Sequence, residues 1–358
     1  MSGFHYWADQ KHLDELNNIR MKKIFWCLFL APFFCAAQSY SFKPLNENTK
    51  TSLRGLSVVN NQVFWVSGSA GSVGKTIDGG KNWQWIKPKG YEKLDFRDIE
   101  AFDDKQAIIV NAGSPAYILK TADGGETWTE HYNNIDSAIF LDGLDFWDKD
   151  KGIIFGDPIK DKMQLLKTVD AGKTWIDISA DLKTPMAKGE AGFAASGTTI
   201  KTLSGGKVWI STGGMVSNIY FSDDYGQSWN IFKCPIWQGQ ETTGPFSMDF
   251  YNSRIGVVVG GNYVQDKINT NNVLLTKDGG KTWQKPVTPV SGYRSGVTYI
   301  NAKVLVATGT SGTDISIDGG YNWKHISDKS FNAVQKAKKG NAILLAGEKG
   351  NIYQLSLN

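Results

Sequence analysis

Thr76-Ile77-Asp78-Gly79-Gly80-Lys81-Asn82-Trp83 decides the fold, because the chain writes it five more times. Thr121–Trp128, Thr168–Trp175, Ser222–Trp229, Thr276–Trp283 and Ser316–Trp323 all obey [ST]-x-D-x-G-x-[TSN]-W, with the tryptophans 40 to 54 residues apart. The residue types have a mechanical reason. Short Asp and Ser/Thr side chains bond nearby backbone amides and hold a turn. Gly at the fifth position suits positive φ, and Trp buries a large ring in the adjoining core. Six identical catalytic or calcium aspartates on one chain would be odd, whereas six identical turns suit a repeat protein. Asp78, Asp123, Asp170, Asp224, Asp278 and Asp318 therefore read as turn-formers.

Outward from each turn, the sequence reads as strands. Two or three short runs precede each box, as in Ile99–Phe102, Ala107–Asn111 and Tyr117–Thr121, and a short run follows its Trp. The second run is almost wholly apolar, as a strand buried on both faces should be. Four strands per repeat of this length make one propeller blade. Six boxes give six blades. Asn332–Ala337, Ala342–Gly347 and Asn351–Leu355 supply three more strands, and the lone run Tyr40–Leu45 supplies the fourth. The expectation is an all-β, seven-bladed propeller of four-stranded blades, closed by an N-terminal strand that joins the last blade. Six blades with a C-terminal extension is the alternative.

The repeat resembles the Asp-box, or BNR repeat, over nearly all of residues 38–358. Asp-boxes occur in sialidases, sortilin-type receptors and the photosystem II stability/assembly factor family, all β-propellers. The chain looks most like the last of these, which implies a binding or assembly role. The resemblance also implies that each box joins the third and fourth strands of a blade, away from the usual binding face.

Composition agrees with a folded, non-fibrous chain: 358 residues, 41% hydrophobic, 39 Gly and 13 Trp. A net charge of +4 over this length is no nucleic-acid footprint. Met21-Lys22-Lys23 followed by an apolar run to Ala37 reads as a signal peptide, so the mature chain is expected to be exported, periplasmic or secreted. That run is too short for a good membrane span. Residues 1–20 then read as a mis-assigned upstream extension, and 38–358 as the propeller. Cys35 follows Phe34, which argues against a lipid anchor. Cleavage leaves only Cys234, which cannot pair internally, and only His131 and His325, so a His-rich metal site is not expected. No cofactor is expected either.

Binding residues are sought where propellers bind, at the mouth of the channel. Aligning the first strands places Arg54, Arg97, Asp142, Gly192, Phe246, Arg294 and Asn332 at one equivalent position. After Met21 the chain has four arginines, and three of them stand in this row. The arginines of blades 6, 1 and 2 are thus expected to converge as forks for a carboxylate or phosphate, unless each pairs with a local acid. Glu190, Glu241 and Asp157 are placed on the same face, with Trp237 and Tyr263 in long loops there. Together they make either a polar ligand pocket or a network of internal ion pairs.

Several motifs fail. Gly68–Thr76 resembles a phosphate loop, but Ser69 stands where a glycine is required and a box follows instead of a helix. G-x-S-x-G and H-E-x-x-H are lacking. The expected function is an exported scaffold that engages a protein partner, or an anionic or carbohydrate ligand, on this Arg/acid face. The alternative is a sialidase-like glycoside hydrolase, with the three arginines as clamp and Glu190, Glu241, Asp142 or Asp157 as its carboxylates, or a non-catalytic sugar-binding propeller. Against the sialidase stand the expected seven blades, the lack of an Arg-Ile-Pro motif and the lack of a tyrosine plainly paired with a glutamate.

Overall fold

The computed structural model describes Met1 and residues 39–47 and 49–357. The proposed extension 1–20 and signal peptide 21–37 lie outside these residues, apart from Met1. Ser39–Asn358 forms one compact unit.

Seven antiparallel sheets follow one another along that unit. Their innermost strands are Leu53–Val58, Phe96–Ala101, Leu141–Phe146, Ile200–Leu203, Thr243–Phe250, Gly296–Tyr299 and Ala333–Lys336. Each touches the next, and Ala333–Lys336 returns to Leu53–Val58, so the ring is closed. The first and last of the described strands complete blade 7. Tyr40–Asn46 pairs with Ile352–Leu357, from Tyr40 opposite Leu357 to Asn46 opposite Ile352. This is the closure expected from the sequence, and it removes two open sheet edges.

The core lies between blades. Leu53, Leu56, Phe64 and Val66 of blade 1 pack on Ala333, Leu344 and Ile352 of blade 7. Along the channel, side chains of one inner strand cap backbone amides of the next. Ser57 Oγ accepts from Ala101 N (3.0 Å), Asp98 from Leu144 N (2.7 Å), Asp145 from Thr202 N (2.7 Å) and Asp249 from Tyr299 N (2.8 Å). These bonds satisfy donors that a strand at a sheet edge would leave unpaired.

The boxes sit between third and fourth strands. In the first, Thr76 Oγ1 donates to Asp78 (2.8 Å) and accepts from Gly80 N (3.1 Å). Asp78 also accepts from Lys81 N, Asn82 N and Asn82 Nδ2, and these bonds pull its carboxyl down to about 2. The fifth-position glycines all have positive φ, from 77° at Gly172 to 95° at Gly320. The aspartates are thus occupied by their own turns.

Two blades depart from the repeat. In blade 4 the inner edge is split: Glu190–Ala191 and Ile200–Leu203 both pair with Lys207–Gly214. In blade 5 the outer strand shrinks to a single bridge between Leu275 and Gln284.

Candidate functional site

Four of the seven equivalent positions are bulges. Pairing of inner with second strands slips by one residue between Leu53 and Gly55, Phe96 and Asp98, Leu141 and Gly143, and Pro245 and Ser247. The unpaired residues are Arg54, Arg97, Asp142 and Phe246. A bulge breaks the in–out alternation and re-aims the side chain.

Blade 4 replaces this one-residue bulge with an excursion, residues 192–198, between its two inner pieces. That segment crosses the channel. Ala195 O accepts from Arg54 Nη1 of blade 1 (3.2 Å), Ser196 Oγ donates to Ser295 O of blade 6 (2.6 Å), and Thr198 Oγ1 meets Ser247 Oγ of blade 5 (2.6 Å). A Cβ on Gly197, whose φ is +72°, would lie 2.3 Å from the Asp98 carboxyl of blade 2. Only glycine fits this approach. The excursion divides the channel.

Above it, on the face of the inner-strand starts, lies a cavity of about 370 Å³. It is lined by Arg54, Arg97 and Glu348 together with Phe193, Phe246, Tyr263 and Tyr293. Phe193 and Phe246 stack at 3.9 Å, and Tyr293 meets Phe246 edge-on at 4.8 Å. Arg54 is 27% exposed and 3.8 Å from Glu348; Arg97 is 33% exposed and bonds Asp95 through Nε at 2.7 Å. Their remaining guanidinium donors have room to take a carboxylate while the rings receive an apolar side chain.

Below the excursion a smaller chamber, about 140 Å³, is lined by Asp98, Glu100, Asp145, Asp249, Lys201 and Lys338, among others. Burial lifts the Asp98 carboxyl to about 8 and also raises Glu100. Asp249 holds Lys201 strongly protonated. With Lys338 bonded to Glu100 and Ser57 Oγ, these groups serve one another and the inter-blade amides.

The expected three-arginine cluster is a pair. Arg294 is fully buried and bonds Asp314 through Nε (2.8 Å) and Nη2 (2.5 Å), with Nη1 on Tyr293 O and Ser311 Oγ. It lies behind Tyr293 and does not line the cavity. Glu190 is equally occupied: it accepts from Thr212, Asn218 and Tyr220 side chains and from Ala187 N. This supplies a Tyr–Glu pair that sequence reading missed, but Tyr220 belongs to the buried core that joins blades 3 and 4. Glu241 is exposed on the rim. Trp237 is half-buried, its backbone N–H bonded to Asn271 O.

Asp157 accepts from Gly192 N at 2.8 Å and so anchors the start of the excursion. Asp142 is buried beside it, and neither of its oxygens has a partner. Burial and the Asp157 charge push the Asp142 carboxyl well up, which favours its neutral form. Asp142 is within reach of the Arg97 charge, but none of the carboxylates named for a hydrolase lines the cavity of Arg54 and Arg97. Sequence reading placed Phe246 and Tyr263 on this face but missed Phe193, Tyr293 and the excursion. The signal for the excursion was present: Gly189–Ile200 is too long for one strand start.

Residues 91–232 match the family model described as "Photosynthesis system II assembly factor YCF48". A structure of YCF48 from Cyanidioschyzon merolae superposes with a TM-score of 0.62 at 14% identity, covering 88% of this chain and 98% of that one. A structure described as YCF48 bound to D1 peptide gives the same score and identity, covering 88% and 94%. The chain is a seven-bladed propeller that carries six Asp-boxes, and part of it, residues 91–232, resembles the photosystem II assembly factor family. The GH74 xyloglucanase from Xanthomonas campestris also shares the fold (TM-score 0.59, 14% identity), covering 88% of this chain and 53% of the enzyme. At such identities these likenesses speak to the fold. No curated protein sequence matches the chain. Among the described residues of this propeller, no helix is long and apolar enough to cross a membrane.

Proposed function

We propose that this protein is a binding scaffold that holds a segment of a partner protein in the upper cavity, by a carboxylate on Arg54 and Arg97 and an apolar side chain against Phe193, Phe246 and Tyr263. The observation that carries the reading is the pairing of two half-exposed guanidinium groups with an aromatic wall over an obstructed channel. The YCF48 likeness supports a protein partner over a sugar. Export, read from Met21 to Ala37, belongs to the same proposal, with the partner met in the periplasm or outside the cell. A sialidase reading gains nothing from the geometry, since Arg294 and Glu190 are both committed elsewhere.

Calorimetry with short peptides tests it. A peptide ending in an apolar residue with a free carboxylate should bind, and its amide should bind much more weakly. Charge-assisted hydrogen bonds contribute about 1.5–3 kcal/mol each, so Arg97→Ala should weaken binding by about tenfold or more. Equal binding of acid and amide, by wild type and by Arg54→Ala/Arg97→Ala, would refute the site. Turnover of a fluorogenic sialoside that is lost in Arg54→Ala would refute the scaffold.

A further inference from the structure

The upper cavity holds a carboxylate of its own. Glu348 lines it beside Arg54 and Arg97. It stands on a short 3-10 turn, Glu348–Gly350, that follows the second strand of blade 7, Ile343–Ala346. The segment leading into blade 1 clasps this turn: Thr49 N donates to Lys349 O (2.9 Å), and Gly350 N to Thr51 O (2.7 Å). Lys349 has a φ of +59°, which is uncommon for a residue with a Cβ. Strained backbone of this kind persists where its surroundings enforce it, and it collects at binding sites.

The carboxylate is fixed along with its turn. Glu348 Oε1 accepts from Ser52 Oγ (2.5 Å) and from Asn332 Nδ2 (3.2 Å). Asn332 is buried and also donates to Leu53 O (2.9 Å). Arg54 lies 3.8 Å from the same oxygen, beyond hydrogen-bond distance. Among the described residues, Oε2 receives no donor, and the side chain is 55% exposed, so a ligand can reach it. Two cations and two acids thus meet here, Arg54 with Glu348 and Arg97 with Asp95, and their charges cancel. A lone ligand carboxylate tips this balance to one net negative charge beside aromatic rings, where an uncompensated charge is costly. A carboxylate accompanied by a base keeps it at zero.

We infer that Glu348 is a specificity residue of this site, and that the partner segment carries a lysine or arginine next to its carboxylate. The inference rests on the reading of the cavity as a carboxylate site. The base donates to Glu348 Oε2 while the carboxylate takes the open donors of Arg54 and Arg97. Arg54 and Glu348 are close enough that the two ligand charges belong to neighbouring residues, so the base stands one residue before a terminal carboxylate. The terminal apolar side chain keeps its place against Phe193 and Phe246. A glutamate or aspartate in the place of the base meets Glu348 as a like charge and is rejected.

The test titrates the full propeller by calorimetry with three acetylated tetrapeptides, two glycines, a variable residue and a final leucine with a free carboxylate. The variable residue is lysine, glutamine or glutamate. The lysine peptide should bind about fivefold more tightly than the glutamine peptide, the worth of one half-exposed ion pair. The glutamate peptide should bind most weakly, and added salt should narrow the gaps. Glu348→Gln keeps an acceptor for Ser52 and Asn332, and should bind the lysine and glutamine peptides alike. Glu348→Lys should put the glutamate peptide first. A residue that only braced the turn would weaken all three peptides together and leave their order intact. The role of Glu348 is overturned, with the carboxylate site left standing, if each free acid beats its amide but wild type takes the three peptides alike. The same order of preference in wild type and Glu348→Gln overturns it too. Free acids bound no better than their amides overturn both readings.

Discussion

Arg294 and Arg97 hold equivalent places in the repeat, yet their removal should have opposite consequences. The Arg294 and Asp314 side chains are both fully buried, and the guanidinium meets the carboxylate through two nitrogens. Arg294→Met leaves Asp314 buried with Ser291 N, Ser291 Oγ and His325 as its remaining partners. Stranding one member of a buried pair costs about 3–5 kcal/mol. The Ser291 bonds favour the lower end, about 3 kcal/mol. At about 2.1 cal/mol/K of unfolding entropy per residue, over a unit this size, that lowers the melting temperature by roughly 5 °C. Arg97–Asp95 is half-exposed, so Arg97→Ala should cost only about 0–1 kcal/mol. Arg294→Met/Asp314→Asn should lose less than the sum of its single changes, because the pair is coupled. Scanning calorimetry gives the stabilities, and titration with the free-acid peptide at low temperature gives binding. The expected pattern is a destabilised Arg294→Met that binds normally and a stable Arg97→Ala that does not. An Arg294→Met protein with native melting and lost binding would refute the assignment of Arg294 to the framework.

Asp142 should make the protein less stable as pH rises. Its folded-state pKa is raised, so its contribution is fully present below the ordinary carboxylate value of about 4 and is lost as pH climbs through the folded-state value. Asp142→Asn should therefore stabilise the propeller by at least about 1 kcal/mol at slightly alkaline pH and much less in acid; urea unfolding at both ends of the range reads this, and a pH-independent difference would count against it. Deleting residues 39–46 should expose the Ile352–Leu357 edge and remove about 5 kcal/mol of backbone pairing and packing. Size-exclusion chromatography with light scattering should then show self-association, and a monomer that melts like the wild type would argue against ring closure by this strand.

The fold was legible because its signal is periodic. The box spacing, the fifth-position glycine and the leftover strands at both ends sufficed to place seven blades and close them. The site was legible only in part, for a physical reason. Equivalent positions share a backbone geometry, so Arg54, Arg97 and Asp142 could be aligned as one row. Whether a side chain there faces a cavity depends on its neighbours from other blades, which no repeat encodes. Asp314 draws Arg294 inward, and Tyr220 closes over Glu190. Residues 192–198 carry their information by departing from the period, and a departure is visible only against the assembled ring.

The seam between Tyr40–Asn46 and Ile352–Leu357 has a consequence for how the protein is made. The strand that leaves the ribosome first finds its partner last. Until the final residues are free, blade 7 lacks one rail and the wheel stands ajar, its neighbours held only from one side. Completion is a long-range event with a large loop to close, which favours slow final assembly. A chain interrupted before Ile352–Leu357 would be left with an adhesive margin, so the quality of the whole propeller is decided by the meeting of these two strands.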